Sequence, residues 1–372
     1  MTTGEPADAR PEDLARERAI RDLLERAAGP SKFLPFDRFL EIALYAPGLG
    51  YYTRAPVDVG PTGDFYTAAS VTPVFAWTLA ERVRAEFARL GRPARFTLVE
   101  LGPGTGSLAA ELLGSLAEGR EGPELPLEYV GVDVSHPLAE KAAARIHRQH
   151  PALPFPVRFV SSVAEVGLFQ GAVVGNEFLD ALPFRRLLWT HGEWRELGVR
   201  VGGDGLEWGD APFVTPLPAP SLPVDLEEGS IVEVSPRAEA AVRELSDQMV
   251  RGAAIFLDYG EEESSLVRGH LHGTLAAARG HAAPDPLDRP GSADLSAFVN
   301  FTRLAVAARV AGFEVKPLTG QARALHAWGW TPLADRWVAS ASDSVERVRR
   351  QLALKNLLFG FETFRALELT LG

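Results

Sequence analysis

Cysteine is absent from the 372 residues of this chain, and only two methionines and four lysines occur. The absence of cysteine excludes thiolate nucleophiles, zinc–cysteine sites and disulfides. No apolar run approaches the roughly 20 residues that a helix needs to span a bilayer. The first residues have neither the basic and then apolar pattern of a signal peptide nor the Arg-rich, acid-poor pattern of a transit peptide. These absences predict a cytoplasmic protein that does not insert into a membrane.

Acidic residues outnumber basic residues in this chain. The chain has 38 Lys and Arg against 49 Asp and Glu, which gives a formal charge of −11. Sequence-independent binding to nucleic-acid phosphates requires a basic surface, so we do not expect nucleic acid as a partner. Hydrophobic residues make up 46% of the chain, which is enough for a substantial core in one elaborated domain or two closely associated ones.

The most informative segment that is present reads FTLVELGPGTG, at positions 96–106. An apolar run bounded by glycines is typical of a central strand in a parallel sheet, and positions 107–113 continue with a helical pattern. Backbone amides at the start of such a helix bind polar ligand groups, and glycines let a ligand approach the main chain. The segment therefore predicts a ligand-binding turn, although a glycine turn without a ligand has the same pattern.

The glycine spacing narrows the choice of ligand. Gly102, Gly104 and Gly106 follow Glu100, whereas a dinucleotide fingerprint requires a third glycine one residue later, where this chain has Ser107. The pattern acid-x-G-x-G-x-G resembles motif I of class I S-adenosylmethionine-dependent methyltransferases. In that family the acid orients the methionine end of the cofactor. A nicotinamide or flavin enzyme is the alternative that the residues leave open.

A second acidic residue is expected where the next strand ends. The segment EYVGVDVS at 128–135 has the pattern of a strand that ends at Asp133, and Ser135 is placed to cap the helix that follows. A carboxylate at this position can bind the ribose hydroxyls of the cofactor. The simpler interpretation of Asp133 is a solvated residue at a strand end.

Strand and helix patterns alternate along the chain, which predicts an α/β fold with a Rossmann-like, doubly wound parallel sheet. An N-terminal helical segment precedes the sheet, with helices expected at 11–28, 33–45 and 73–90. A hairpin around His191-Gly192 and a weakly periodic segment at 261–300 interrupt it. We predict four parts: an N-terminal helical and lid segment at 1–95, a cofactor-binding core at 96–183 and 231–260, an inserted α+β substrate region at 184–230 and 261–301, and a C-terminal completion of the core at 302–372.

Several distinctive segments occur in a fixed order. They are GYY at 50–52, GDFYT at 63–67, NEFLDALP at 176–183, DYG at 258–260, DPL at 285–287 and PGSADLSAFVNF at 290–301. Together with motif I, they resemble the MidA/NDUFAF7 family of class I methyltransferases over about residues 30–365. The resemblance implies S-adenosylmethionine as cofactor. Because the mitochondrial member is a protein arginine methyltransferase acting on a subunit of respiratory complex I, it also implies an arginine acceptor on a protein partner.

The chain departs from the family pattern at three places. The family usually has T-S-P-E after G-D-F, L-R-x-Y before the His281 region and V-D-F after D-L-T-A. This chain has Ala69, Ala276 and Asn300 in those segments. Because the segments are expected to contact the acceptor, the identity of the acceptor is less well supported than methyl transfer.

An arginine acceptor must be held and must lose a proton before it can attack, which requires a carboxylate. Glu177 and Asp180 follow the fourth predicted strand, at the edge where ligands bind in open α/β sheets, and are the candidate catalytic pair. The bland alternative is that Glu177 caps a helix and Asp180 is solvated. No spacing of His or acidic residues supports a metal site.

The remaining candidates follow from the resemblance and from position. The predicted cofactor contacts are Glu100, Gly102, Gly104, Thr105, Gly106, Asp133, Asn176 and Asp64. Predicted substrate contacts are Phe65, Tyr66, His281 and Asp294, although Asp64 also suits an ordinary turn and His281 a solvated loop. The predicted function is arginine methylation of a protein, and the alternative is a cofactor-binding assembly factor without catalysis.

Overall fold

The computed structural model describes residues 11–54, 72–118, 126–203, 205–213, 226–279 and 282–372. The helices in these ranges are α1 Pro11–Ala28, α2 Phe36–Tyr45, α3 Pro73–Arg89, α4 Ser107–Ala117, α5 His136–Gln149, α6 Pro236–Gln248, α7 Glu263–Gly269, α8 Phe301–Val310, α9 Gln321–Ala327, α10 Trp330–Ala339 and α11 Ser344–Phe359. Among them, none is long and apolar enough to cross a membrane.

The strands fall into a large sheet and smaller antiparallel ones. Their bounds are β1 Phe33–Pro35, β2 Phe96–Leu101, β3 Leu127–Val132, β4 Val157–Val160, β5 Phe169–Asn176, β6 Arg185–Thr190, β7 Glu193–Gly202, β8 Gly205–Ala211, β9 Ile231–Val234, β10 Met249–Glu261, β11 Ala276–Ala278, β12 Asp294–Ser296, β13 Val299–Asn300, β14 Glu314–Val315, β15 Thr319–Gly320 and β16 Phe364–Leu371.

The large sheet has the strand order β14-β16-β10-β5-β2-β3-β4, with β13 and β15 attached beside β10 and β16. The strands β10, β5, β2, β3 and β4 run parallel, whereas β16 is antiparallel to β10. The chain moves outward from β2 to β4 and then returns to β5 on the other side of β2. This reversal makes the carboxyl ends of β2 and β5 the topological switch point, where open α/β sheets bind ligands.

Strand β2 is central because its side chains are apolar on both faces and all six of its residues are buried. Phe96 and Leu98 pack into the core on one face, with α3 and α4, while Val99 and Leu101 pack into the core on the other, with α6 and α8. Helices therefore cover both faces, as the Rossmann-like prediction requires.

A second sheet with the order β1-β7-β6-β9, extended by β8 on β7, carries the predicted hairpin. Antiparallel pairing of β6 with β7 confirms that hairpin, while β8 was not predicted. The predicted helix at 33–45 begins only at Phe36, because Phe33–Pro35 pairs with β7. The helical periodicity of residues 33–35 was therefore overridden by a tertiary contact.

The N-terminal helices and the second sheet share one hydrophobic core. Side chains from α1, α2 and β7 pack there with Leu287 and Leu295, which belong to the segment after β11. This arrangement places α2 and the turn that follows it over the carboxyl ends of the parallel strands. The aromatic residues Tyr45 and Tyr52 come from this region.

Candidate active site

A cavity of about 820 Å³ lies at the carboxyl ends of β2, β3, β5 and β10. It is the size of a typical small-molecule or cofactor site. The predicted residues that line it are Glu100, Gly102, Gly104, Thr105, Asp133, Asn176, Glu177 and Asp180. The structure therefore brings together the predicted cofactor and catalytic residues from three separate segments of the chain.

The glycine turn after β2 is shaped by two different constraints. Gly104 has φ +54 and no atom within 4 Å of the place where a Cβ would stand, so its backbone is open to the cavity. Gly106 does not line the cavity. A Cβ there would stand 2.7 Å from Cα of Ala142 in α5, so this glycine permits two helices to pack closely. Gly104 thus leaves room for a ligand, and Gly106 allows α4 and α5 to pack closely.

Glu100 is buried at the end of β2, with 3% of its surface exposed. The hydroxyl of Tyr129 on β3 donates a hydrogen bond to its Oε2 at 2.7 Å. Burial raises the pKa of Glu100 to about 7, although the Tyr129 bond opposes this rise. The sequence contained no signal for Tyr129, because the pairing of β2 with β3 decides which strand residue stands beside Glu100.

Asp133 lies at the end of β3 and is held by backbone amides. The amide of Ser135 donates to its Oδ1 at 2.8 Å, and the amide of Gly104 contributes a second bond. Burial nonetheless raises the pKa of Asp133 to about 6. Ser135 caps α5 as predicted, and its side chain accepts the amide of Leu138. Asp133 is thus a fixed carboxylate beside the glycine turn rather than a solvated strand end.

The NEFLDALP segment forms a tight turn after β5. Glu177 has φ +50, a strained conformation for a residue with a side chain, and its amide donates to the carbonyl of Leu257 at 2.8 Å. Asp258 Oδ2 accepts the amides of Phe178, Leu179 and Asp180 at 3.1, 2.8 and 3.3 Å. The turn is therefore fixed by hydrogen bonds to β10, and the alternative interpretation, in which Asn176 and Glu177 cap a helix, does not hold.

Two acceptor atoms of the turn lack a donor. Oδ1 of Asn176 and Oδ1 of Asp180 are buried without a hydrogen-bond partner. The other oxygen of Asp180 accepts from the hydroxyl of Tyr259, and burial raises the pKa of Asp180 to about 6. A buried acceptor without a donor is costly, so both atoms are suited to ligand groups that carry N–H or O–H.

Among the charged side chains on the described wall of the cavity, acids outnumber arginines. Its two arginines, Arg145 and Arg237, bond to Thr105 and Glu244 respectively. The carboxylates that line the same cavity are Glu41, Glu100, Asp133, Glu177, Asp180 and Glu244. With six carboxylates against two guanidinium groups, the cavity favours cationic ligands.

None of the described residues of the predicted substrate segment at 281–301 lines the cavity, so their contact with the acceptor stays a prediction. Asp294 is buried and accepts from the hydroxyl of Tyr52, which lines the cavity. Asn300 caps α8 through the amide of Arg303 and donates to Glu263 at 2.9 Å. The departure from the family pattern at Asn300 is therefore accommodated by a helix cap.

Three arginines that could otherwise offer a basic rim for nucleic acid are engaged in ion pairs away from the cavity. Arg185 pairs with Glu196 and Arg186 with Glu233, and all four side chains are buried. Arg279 pairs with an aspartate at 3.4 Å on the surface. These pairs neutralise the basic groups, and none of the three arginines lines the cavity.

Four predicted residues, Asp64, Phe65, Tyr66 and His281, lie outside the described part of the chain, as does the departure at Ala69. Tyr45, Tyr52 and Tyr259 line the cavity and were not predicted as site residues. The GYY and DYG segments contain two of these tyrosines, so the resemblance held a signal for them. Within the described ranges, no group of three or more His, Asp or Glu could hold a metal ion.

Similar proteins agree with this geometry. A family model described as "Putative S-adenosyl-L-methionine-dependent methyltransferase" matches residues 78–319. The mitochondrial protein arginine methyltransferase NDUFAF7 homologue of Drosophila melanogaster is 30% identical over 292 residues, and the alignment covers 72% of this chain and 65% of the relative. For NDUFAF7 of Mus musculus the identity is 30% over 288 residues, with 72% and 64% covered. The chain thus spans slightly less than two thirds of these curated relatives.

A solved structure is similar over almost the whole chain. It is a "likely methyl transferase" from Burkholderia thailandensis bound to S-adenosyl-homocysteine, with a TM-score of 0.85 and 32% identity, and it covers 99% of this chain and 95% of that one. The fold and the cavity define a class I S-adenosylmethionine-dependent methyltransferase. The chain belongs to the MidA/NDUFAF7 family within that class, and S-adenosylmethionine is the family's cofactor.

The prediction of a cytoplasmic location is wrong by the same comparison. The relatives from fly, mouse and human are all named mitochondrial. The prediction used the absence of a signal peptide, of an Arg-rich, acid-poor transit peptide and of a membrane-spanning run, and the names of the relatives overturn it.

The open backbone at Gly104 leads to a steric prediction. Gly104→Val should leave the protein folded but abolish binding of S-adenosylmethionine in calorimetry, because the new side chain enters the cavity. Gly91→Val is the matched control, since Gly91 also has positive φ with open space around it and does not line the cavity. If both variants bind the cofactor equally well, the glycine turn does not hold it.

The buried carboxyl of Glu100 leads to a prediction about stability and pH. A carboxyl whose pKa is raised on folding favours the fold at pH below its ordinary value of 4.5, and this contribution is lost as the pH rises through about 7. Glu100→Gln should therefore stabilise the ligand-free protein increasingly between pH 5 and 8, by up to roughly 3 kcal/mol. Thermal unfolding at both pH values tests this, with Glu362→Gln as an exposed control. An equal effect of Glu100→Gln at pH 5 and 8 would contradict it.

Proposed function

We propose that this protein transfers a methyl group to the guanidinium of an arginine on a partner protein, with Glu177 and Asp180 holding the acceptor. The observation that supports this most directly is the excess of carboxylates around a cavity in which Asp180 keeps one oxygen without a donor. A guanidinium brings both a positive charge and several N–H donors. The names of the curated relatives support the same acceptor.

The cavity has the features that S-adenosylmethionine requires. The backbone at Gly104 leaves space beside the glycine turn, and Oδ1 of Asn176 is an acceptor without a donor. Glu100 and Asp133 provide fixed carboxylates, which suit the ammonium group and the ribose hydroxyls of the cofactor. When bound, the cofactor supplies a methyl group on a sulfonium, which an aligned nucleophile can accept.

An arginine acceptor requires a carboxylate that is ionised at neutral pH. The guanidinium is always protonated in water, so a neighbouring base must take or relay its proton as it attacks. With a pKa of about 6, Asp180 is mostly ionised at pH 7 to 8 and basic enough to accept a proton. Glu177 lies at the same strand end, in a strained conformation held by the β10 backbone, and its Oε1 accepts the side-chain amide of Asn176 at 3.2 Å. Together the two carboxylates can accept hydrogen bonds from one guanidinium.

A protein that uses the cofactor only for shape, as an assembly factor, would also retain Glu100 and Asp133. Glu177 separates the two functions. Glu177→Gln keeps the size and backbone demands of the residue, so cofactor affinity should be unchanged, whereas methyl transfer should fall by about 10²- to 10⁴-fold. Calorimetry and single-turnover assays on one preparation measure both quantities. Glu362→Gln removes an exposed acid and serves as the control; full activity of Glu177→Gln would favour the assembly factor.

The acceptor class can be tested without knowing the partner. Radiolabelled S-adenosylmethionine and the protein are added to a cell lysate, which is then separated into protein, nucleic acid, lipid and small molecules. We expect label on protein, recovered as methylarginine after hydrolysis, and none with Asp180→Asn. Label in RNA or lipid, with none on arginine, would overturn the acceptor while leaving membership of the methyltransferase family unaffected.

A further inference from the structure

We propose that Tyr259 is a positioning residue for Asp180, and that a chain of hydroxyl groups from Ser296 through Tyr259 fixes which carboxylate oxygen faces the acceptor. This inference rests on the proposed function, because it gives the proposed guanidinium-binding carboxylate its orientation. Ser296 comes from β12, so the inference also assigns a role to the segment at 290–301, which does not line the cavity.

The geometry carries the inference. The Tyr259 hydroxyl donates to Oδ2 of Asp180 and lies 2.7 Å from Oγ of Ser296. A phenol has a single hydrogen. If that hydrogen is used on the carboxylate, the bond to Ser296 must be donated by the serine hydroxyl. The donors therefore run in one direction, from Ser296 to Tyr259 to Asp180, and they leave Oδ1 of Asp180 as the acceptor without a partner.

The ring of Tyr259 is clamped from two sides, so its hydroxyl cannot follow Asp180 if the carboxylate turns. Its centroid lies 5.5 Å from that of Phe298 and 5.5 Å from that of Phe364, with both pairs edge to face. Phe298 belongs to the segment between β12 and β13, and Phe364 begins β16. Two elements beside the parallel sheet thus determine where the hydroxyl stands.

The neighbouring carboxylate has a different task. Asp258 holds the backbone of residues 178–180 through three amides, and it makes no use of Tyr259 beyond accepting the amide of that residue at 3.0 Å. Asp258 therefore fixes the main chain of the turn and also hydrogen-bonds to the carboxyl of Asp180, to which Tyr259 adds the bond from its hydroxyl. Both come from adjacent positions at the end of β10.

Several ionisable groups lie near Asp180. From β10, Asp258 and Tyr259 both hydrogen-bond to its carboxyl, and the backbone amides of Asp180 and Ala181 lower its pKa as well. Tyr45 on α2, Tyr52, which is bonded to Asp294, and Glu177, which acts on Asp258, complete the set. Burial raises the pKa of Asp180, and the hydrogen bond from Tyr259 is the first group that opposes the rise. Burial and the nearby acids hold the tyrosine pKa values well above their ordinary range, so these hydroxyls remain donors at neutral pH.

Tyr259→Phe tests the proposal because it keeps the ring contacts and removes only the hydroxyl. We expect the midpoint of the rise of kcat with pH to move upward by about one pH unit, so that activity is reduced near pH 6.5 and approaches the wild-type rate above pH 8. KM for the cofactor should not change. Ser296→Ala should move the midpoint in the same direction by less, which keeps the test valid if Tyr259→Phe folds poorly.

A titration of the ligand-free protein separates this inference from the proposed function. The protein is labelled with ¹³C at aspartate carboxyl carbons, and the Asp180 signal is assigned by its loss in Asp180→Asn. Its midpoint should rise in Tyr259→Phe and stay in place in Tyr51→Phe, which removes a hydroxyl from a buried tyrosine in the core formed with the N-terminal helices. Unchanged titration and unchanged pH profile in Tyr259→Phe would overturn the positioning role. A shifted titration without methylation of any arginine would uphold that role for Asp180 and reject the proposed function instead.

Discussion

The carboxylate of Asp258 accepts hydrogen bonds from three consecutive backbone amides at the end of β5, and the arrangement of the site depends on this interaction. It ties the NEFLDALP turn to β10, the neighbouring parallel strand, while the adjacent bond from Glu177 to Leu257 closes the turn from the other side. Asn176, Glu177 and Asp180 can then line one wall of the cavity, with the glycine turn of β2 opposite. Asp258 is fully buried, so the protein accepts the cost of a buried carboxyl to hold this geometry.

Burial of its carboxyl groups makes the site electrostatically unfavourable. Burial raises the pKa of Glu100 to about 7 and those of Asp133 and Asp180 to about 6. Raised carboxyl pKa values mean that the ionised groups lack the solvation they would have in water. A cationic ligand or acceptor compensates for that loss, and an apolar residue in the same place would not. The protein thus buries carboxyl groups at a cost in stability in the place where a cationic ligand is expected, as is common at functional sites.

The cofactor half of the site could be predicted because its residues are local in sequence. Glu100, the glycine turn and Asp133 each lie at a strand end, and parallel strands bring their carboxyl ends to one edge of the sheet. The acceptor half could be predicted only in part. The NEFLDALP turn lies at the strand end, as predicted. The segment at 290–301 was expected in the cavity wall, but its described residues contact side chains of the wall and do not line the cavity themselves. Asn300 forms a helix cap, and Ser296 and Asp294 reach the cavity through tyrosines.

The amino-acid sequence by itself determined the α/β class, the position of the glycine turn, the cofactor and the family, because each depends on residue types at short and regular spacing. Only the tertiary structure decided which tyrosine meets which carboxylate, since the pairs Tyr129–Glu100, Tyr259–Asp180 and Tyr52–Asp294 join residues from different elements. It also decided that Phe33–Pro35 pairs as a strand and that Arg185 and Arg186 are buried in ion pairs. Hydrogen bonds and burial of this kind depend on strand register and packing, which no local pattern encodes.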